Sequence, residues 1–136
     1  MDGTHMQIGE VAARTELSLR TIRHYEDTGL VTPSARSQGG FRLYTERDVE
    51  RLMVIRRMKP LGFALEQMRD LLDVTERLDA EDLTEGERER LQARVREYEL
   101  FAAQKIDDLR AELARAEEFA ASLRKRAAQP VPAAWA

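Results

Sequence analysis

Ser18-Leu-Arg-Thr-Ile-Arg-His-Tyr-Glu-Asp-Thr-Gly29 is bounded at both ends as a short helix. Ser18 is an N-cap residue whose hydroxyl can accept from first-turn amides, and Gly29 tolerates the positive φ that closes a helix. Between them Leu19, Ile22, Tyr25 and Glu26 follow i, i+3, i+4 spacing. That leaves Arg20, Thr21, Arg23 and His24 on the outer face, a set of side chains suited to phosphates and base edges. Upstream, Ile8-Gly-Glu-Val-Ala-Ala-Arg-Thr15 offers a second short amphipathic helix, separated by only Glu16 and Leu17. Two short helices across so tight a turn imply a helix-turn-helix. Any two packed helices can imitate that pattern, so the flanking sequence has to decide.

Working outward, 136 residues with 43% hydrophobic content allow one small domain plus an appendage. The absence of cysteine excludes disulfides and thiolate metal sites, and two histidines are too few for a protein-only zinc site. No apolar run approaches the roughly 18 residues of a membrane span and no secretion signal opens the chain, so a cytoplasmic protein is expected. The net charge of −3 is unevenly spread: from Arg14 to Lys59 ten basic residues face six acidic ones, and the acid surplus lies in the second half.

Met1 to His5 has no periodicity. After Gly29, Leu30-Val-Thr-Pro33 and Phe41-Arg-Leu-Tyr44 flank a Gly39-Gly40 turn and read as a β-hairpin, a wing; alternation puts Phe41 and Leu43 on one face and Arg42 and Tyr44 on the other. Thr45-Glu-Arg-Asp48 opens a third helix with a capping box, with Val49, Leu52, Met53, Ile55 and Met58 as its apolar stripe; Pro60 and Gly62 end it. Leu65, Met68, Leu71, Leu72 and Thr75 mark a fourth. An acidic link, Asp79 to Leu83, leads to a second capping box at Thr84-Glu-Gly-Glu87. A long helix then runs to about Ala128, before Pro130 and Pro132. Its seam is Leu91, Val95, Tyr98, Ala102, Ile106, Leu109, Leu113, Ala116, Ala120, Leu123 and Ala127, heptads with one eleven-residue interval. Extending roughly 55 Å at 1.5 Å per residue, it is too long for the small domain to cover, so dimerisation through Leu91 to Leu123 is expected over folding back. The expected architecture is mainly α: a winged helix-turn-helix domain over 6–78, a dimerisation helix (antiparallel coiled coil) over 84–128, and a flexible tail over 129–136.

With these parts in order, the chain resembles the MerR family of bacterial transcription regulators. The matching residues are Ile8-Gly-Glu-Val-Ala12, Thr21-Ile-Arg-His-Tyr-Glu26, Gly29-Leu30, Gly40-Phe-Arg-Leu-Tyr44, Asp48 to Leu52, and Leu61-Gly-Phe63 with Leu65-Glu66. By position, the resemblance implies recognition-helix contacts at Arg20, Thr21, Arg23 and Tyr25, a wing contact at Arg42 with Tyr44 as companion, and Lys59 near the DNA backbone. Ser18, His24 and Arg57 complete the expected DNA-binding set. Three departures stand out. Glu16 occupies a turn position usually held by glycine, a cost of about 1 kcal/mol if its φ is positive, which a wider turn would avoid. His24 replaces a second tyrosine, exchanging a phenol for an imidazole whose charge depends on pH. Ala64 replaces the Ser or Thr cap of the fourth helix, a loss of about 1 kcal/mol.

The resemblance implies a homodimer on a palindromic promoter operator, acting by DNA distortion with RNA polymerase as partner. Family members that sense organic molecules carry a further C-terminal domain, and those that sense metals or oxidants carry cysteines near the coil's end. Neither is present here, so an unidentified small-molecule effector, or none, is expected, and no metal or cofactor. Arg56 shares the face of Val49, Leu52 and Met53 and is read as an internal ion-pair partner, whereas Arg57 and Lys59 are read as DNA contacts. Phe101 and Phe119 are read as packing, and the carboxylates from Asp79 to Glu89 as a solvated link lacking cation-loop spacing. No catalytic grouping is visible. The rival readings are an architectural DNA-bending protein of the excisionase type and a coiled-coil adaptor.

Overall fold

A computed structural model describes residues 5–132. Helix α1 (Ile8–Thr15) and helix α2 (Leu19–Asp27) form the helix-turn-helix. Ser18 caps α2 by accepting from the Thr21 amide at 3.0 Å. Gly29 closes it at φ 81°: its amide donates to Glu26 and the Leu30 amide to Tyr25, the paired bonds of a Schellman ending. Glu16 is left-handed at φ 60°, so the turn keeps the tight glycine-like geometry instead of widening. Arg56 supports it, donating to the Thr15 carbonyl at 3.2 Å and to the Glu16 carboxylate at 3.0 Å. The buried Thr15 hydroxyl donates to Val11 and accepts from the Leu17 amide.

The wing belongs to a three-stranded antiparallel sheet of order β1-β3-β2, comprising β1 (Met6–Gln7), β2 (Ala35–Arg36) and β3 (Arg42–Tyr44). Met6 faces Tyr44, and Ala35 and Arg36 face Leu43 and Arg42. One expectation is corrected here. The first hairpin strand is not Leu30 to Pro33: Leu30 and Val31 are buried core residues, and the Leu30 carbonyl accepts from Arg51 Nε at 2.5 Å. The strand begins two residues after Pro33, which supplies no ladder amide. Phe41 immediately precedes β3 and is 62% exposed, whereas Tyr44 at the end of that strand is buried.

Helix α3 (Glu46–Met58) opens with the full Thr45/Asp48 capping box and passes through a 3-10 turn at Lys59–Leu61 into Gly62, at φ 85°. Helix α4 (Leu65–Leu78) begins at Ala64 without a side-chain acceptor; Gln67 supplies half of a box by accepting from the Ala64 amide at 2.8 Å. Helix α5 (Glu85–Ala127) likewise has only the Thr84 half, since the Glu87 carboxylate is taken by Arg77. Val11, Ile22, Leu30, Val31, Tyr44, Leu52 and Ile55 form the centre of the core. Leu19, expected inside, is exposed.

The chain divides into two compact units between Tyr98 and Glu99, within α5. In the first, Leu91, Val95 and Tyr98 are half-buried. Tyr98 stacks on Phe63 at 5.9 Å and donates to Asp70 at 2.7 Å, and burial together with that bond pushes its phenol up to about 12. The seam's first positions are therefore not all left for a partner, and Tyr98 is engaged inside the N-terminal unit. In the second unit Phe101 lies under Lys105 while Phe119 is exposed. Residues 133–136 of the expected tail lie outside the described residues. No helix among the described residues is long and apolar enough to cross a membrane.

The neighbours Arg56 and Arg57 give a direct test of the turn. Arg56→Ala removes charge-assisted bonds to Thr15 and Glu16 and is expected to lower stability by about 1 kcal/mol, or roughly 4–8 °C in a domain of this size. Arg57→Ala, exposed and without an ion pair, should stay within about 0.5 kcal/mol of the parent. Thermal melts showing equal losses would remove the buttress role from Arg56.

Candidate nucleic-acid interface

Helix α2 buries Ile22 and Tyr25 and leaves Arg20, Arg23 and His24 exposed. Ser18 and Thr21 bind each other through their hydroxyls at 2.8 Å, fixing the first turn. His24 lies against the Tyr25 ring at 5.6 Å. Tyr25 itself is buried, with Lys59 Nζ 5.9 Å above its ring. Of the two readings of Tyr25, a ring packed between helices and a hydroxyl presented to phosphate, the burial favours the first, while Lys59 remains exposed.

The basic residues sort into two groups. Arg14 is bidentate to Glu46, Arg51 reaches Asp73 and Glu76, Arg47 reaches Glu76, Arg56 reaches Glu16, and Arg77 reaches Asp82 and Glu87. Up to residue 78, those without a carboxylate partner among the described residues are Arg20, Arg23, Arg36, Arg57, Lys59 and Arg69; Arg69 donates instead to the Thr28 carbonyl. The remaining five lie on α2, on the wing and at the end of α3. A cation already held by a carboxylate must break that pair to take a phosphate, so the unpaired group marks the anion-receptive face.

Arg23, Arg36 and Arg42 converge with Gln7, Ile8, Gly40 and Phe41 on an open cleft of about 180 Å³ between recognition helix and wing. Arg36 and Arg42 are directly opposed across the β2-β3 pair. Like charges in that register repel, an arrangement an anion between them relieves. Arg36 was not among the residues singled out from sequence, because its β pairing places it beside Arg42 and the expected strand lay elsewhere.

Glu26 joins the two halves of the site. Its side chain is only 9% exposed, and one oxygen lies 2.7 Å from Arg42 Nε. The other accepts from the Tyr44 hydroxyl. Tyr44 is fully buried, and burial first, then the Glu26 bond, pushes its phenol well above the usual range. Tyr44 is therefore corrected from a DNA contact to a strut that keeps the Glu26 carboxylate in place. Glu26 thus holds Arg42 by Nε, leaving the two terminal amino groups of the guanidinium without a protein partner among the described residues.

Residues 6–75 match the sequence profile described as MerR HTH family regulatory protein. The HTH-type transcriptional regulator ZntR of Escherichia coli (strain K12) is 42% identical over 99 residues, 72% of this chain and 69% of ZntR. The chain belongs to the MerR family of helix-turn-helix transcriptional regulators. Among MerR structures, PbrR691 from Ralstonia metallidurans CH34, solved in complex with lead(II), is 33% identical, with TM-score 0.55 over 83% of this chain and 84% of its own. HiNmlR, a MerR regulator lacking the sensor domain and solved bound to promoter DNA, has TM-score 0.66 at 21% identity, over 85% and 80% of the two chains. At that identity the HiNmlR match establishes the fold.

The sorting of cations has a measurable consequence. Arg36→Ala and Arg57→Ala should each flatten the log–log salt dependence of DNA binding by about 0.9 for every phosphate left without its cation. Arg14→Ala, whose guanidinium Glu46 already holds, should leave the slope near that of the parent. Fluorescence anisotropy across a salt series decides; equal slopes for all three would dissolve the assignment of the DNA face.

Proposed function

We propose that this MerR regulator binds a palindromic promoter operator as a homodimer, α2 in the major groove and the wing on the flanking backbone. It activates by distorting the DNA between misaligned promoter elements, with RNA polymerase as the partner that benefits. The carrying observation is the gathering, on α2, the wing and the end of α3, of cations without a carboxylate partner among the described residues, beside Arg42, which Glu26 holds by Nε alone. Arg20 and Arg23 are the base-edge and phosphate readers, Arg36, Arg42, Arg57 and Lys59 the backbone grips. Ser18 and Thr21 hold the helix N-terminus. The dimer reading is supported by α5, which has no buried residue over Glu85–Ala127 and exposes Ile106, Leu109, Leu113 and Leu123 at heptad spacing. Ala102, Ala116 and Ala120 continue that stripe. PbrR691 was solved with lead(II); a soft ion of that kind favours thiolates, and this chain has no cysteine, so no soft-metal input is proposed.

Dimerisation is tested by Leu109→Glu with Leu113→Glu. A carboxylate on the seam should convert the protein to a monomer by light scattering and cut operator affinity at least tenfold; a dimer that persists would move the interface elsewhere. Mechanism is tested on the promoter. Each base pair removed between its elements rotates them by about 35°, so removing about two should make it strong without the protein, which then represses it. A promoter that still needs the protein would exclude distortion and favour direct recruitment of polymerase.

A further inference from the structure

Phe41 is a large apolar side chain, 62% exposed, set among arginines. Its backbone is clamped at both ends: the amide donates to Ser37 Oγ at 3.1 Å, while the carbonyl receives the Ser37 amide at 2.8 Å. Arg36 secures the adjoining peptide by donating to the Gly40 carbonyl at 3.0 Å. The Cδ2–Cε2 edge of the ring lies beside Gly39, where an added Cβ would come within 3.2 Å of it. The glycine thus leaves room for the ring edge beside the hairpin backbone, and most of the ring is left to solvent. The same ring lines the cleft shared with Arg23, Arg36 and Arg42.

An exposed aromatic on a backbone already held in place has less of its chain to order when a partner arrives, which lowers the entropic cost of a contact. Beside guanidinium groups spaced to grip phosphates, the surface that reaches such a ring is the C–H face of the sugar between those phosphates. We propose that Phe41 is an apolar DNA contact, packing its free face on a deoxyribose of the strand held by Arg36 and Arg42. This rests on the DNA-binding reading above and adds a contact that neutralises no phosphate. It therefore releases no counterion and reads no base.

The test is the full-length protein with Phe41→Ala and Phe41→Leu, titrated onto an operator duplex and a random duplex across a salt series. Phe41→Ala is expected to weaken both duplexes by the same factor, about tenfold or more, with an unchanged salt slope, whereas Phe41→Leu, which keeps apolar bulk, recovers most of the affinity. Melting temperatures of the variants within a few degrees of the parent show that the domain is intact, as the side chain's exposure requires. Unchanged affinity, a loss confined to the operator, or a reduced slope overturns the proposal while leaving the DNA-binding reading in place. A parent protein that binds neither duplex overturns both.

Discussion

A nearly buried carboxylate, Glu26, decides how the recognition helix and the wing are arranged. A charge with so little water around it persists only if its oxygens are satisfied, and here one meets a guanidinium and the other a phenol. Both partners come from β3, which also pairs with β1 and β2. The orientation of α2 relative to the sheet is therefore set by bonds whose loss would strand a charge, a steeper restraint than apolar packing alone. Because Arg42 serves both that carboxylate and the outer cleft, its guanidinium is aimed before DNA arrives.

The overall charge of −3 would discourage nucleic-acid binding if every charge counted equally. It does not, since several acids of the N-terminal unit are consumed locally: Glu16 on Arg56, Glu46 on Arg14, Glu76 and Asp73 on Arg51, Asp70 on Arg94. Pairing cancels field on the faces that carry it and leaves Arg20 and Arg23 of α2 and Arg36 of the wing without a carboxylate partner among the described residues. The sign of the surface is thus an outcome of folding, not of composition.

Sequence reasoning reached what local rules govern. Caps and glycines bounded α2, the Thr45/Asp48 box started α3, the capping residues and prolines bounded α5, and Arg56 was assigned by its helical face to an ion pair, which it makes with Glu16 at the surface. What escaped it depends on pairings between distant segments. Met6–Gln7 is too short to show alternation, yet it forms a sheet edge with β3. The β2 register, which opposes Arg36 to Arg42, follows from where the chain turns after Pro33. Tyr25 and Tyr44 carry polar groups in a DNA-facing motif, but their phenols are amphipathic, and only the three-dimensional neighbourhood decides which end is buried.

The same limit explains why the left-handed Glu16 does not loosen the helix-turn-helix. A side chain at positive φ raises the energy of the turn by about 1 kcal/mol or more, and local rules favour relaxing it. Arg56, forty positions later, bonds to both the peptide before it and its carboxylate, so widening the turn would sacrifice those bonds as well as the packing of Thr15 and Ile22. A glycine would satisfy the backbone but could not present a carboxylate to α3. The substitution exchanges conformational ease at one residue for a tie between the turn and the helix that ends beside the DNA face.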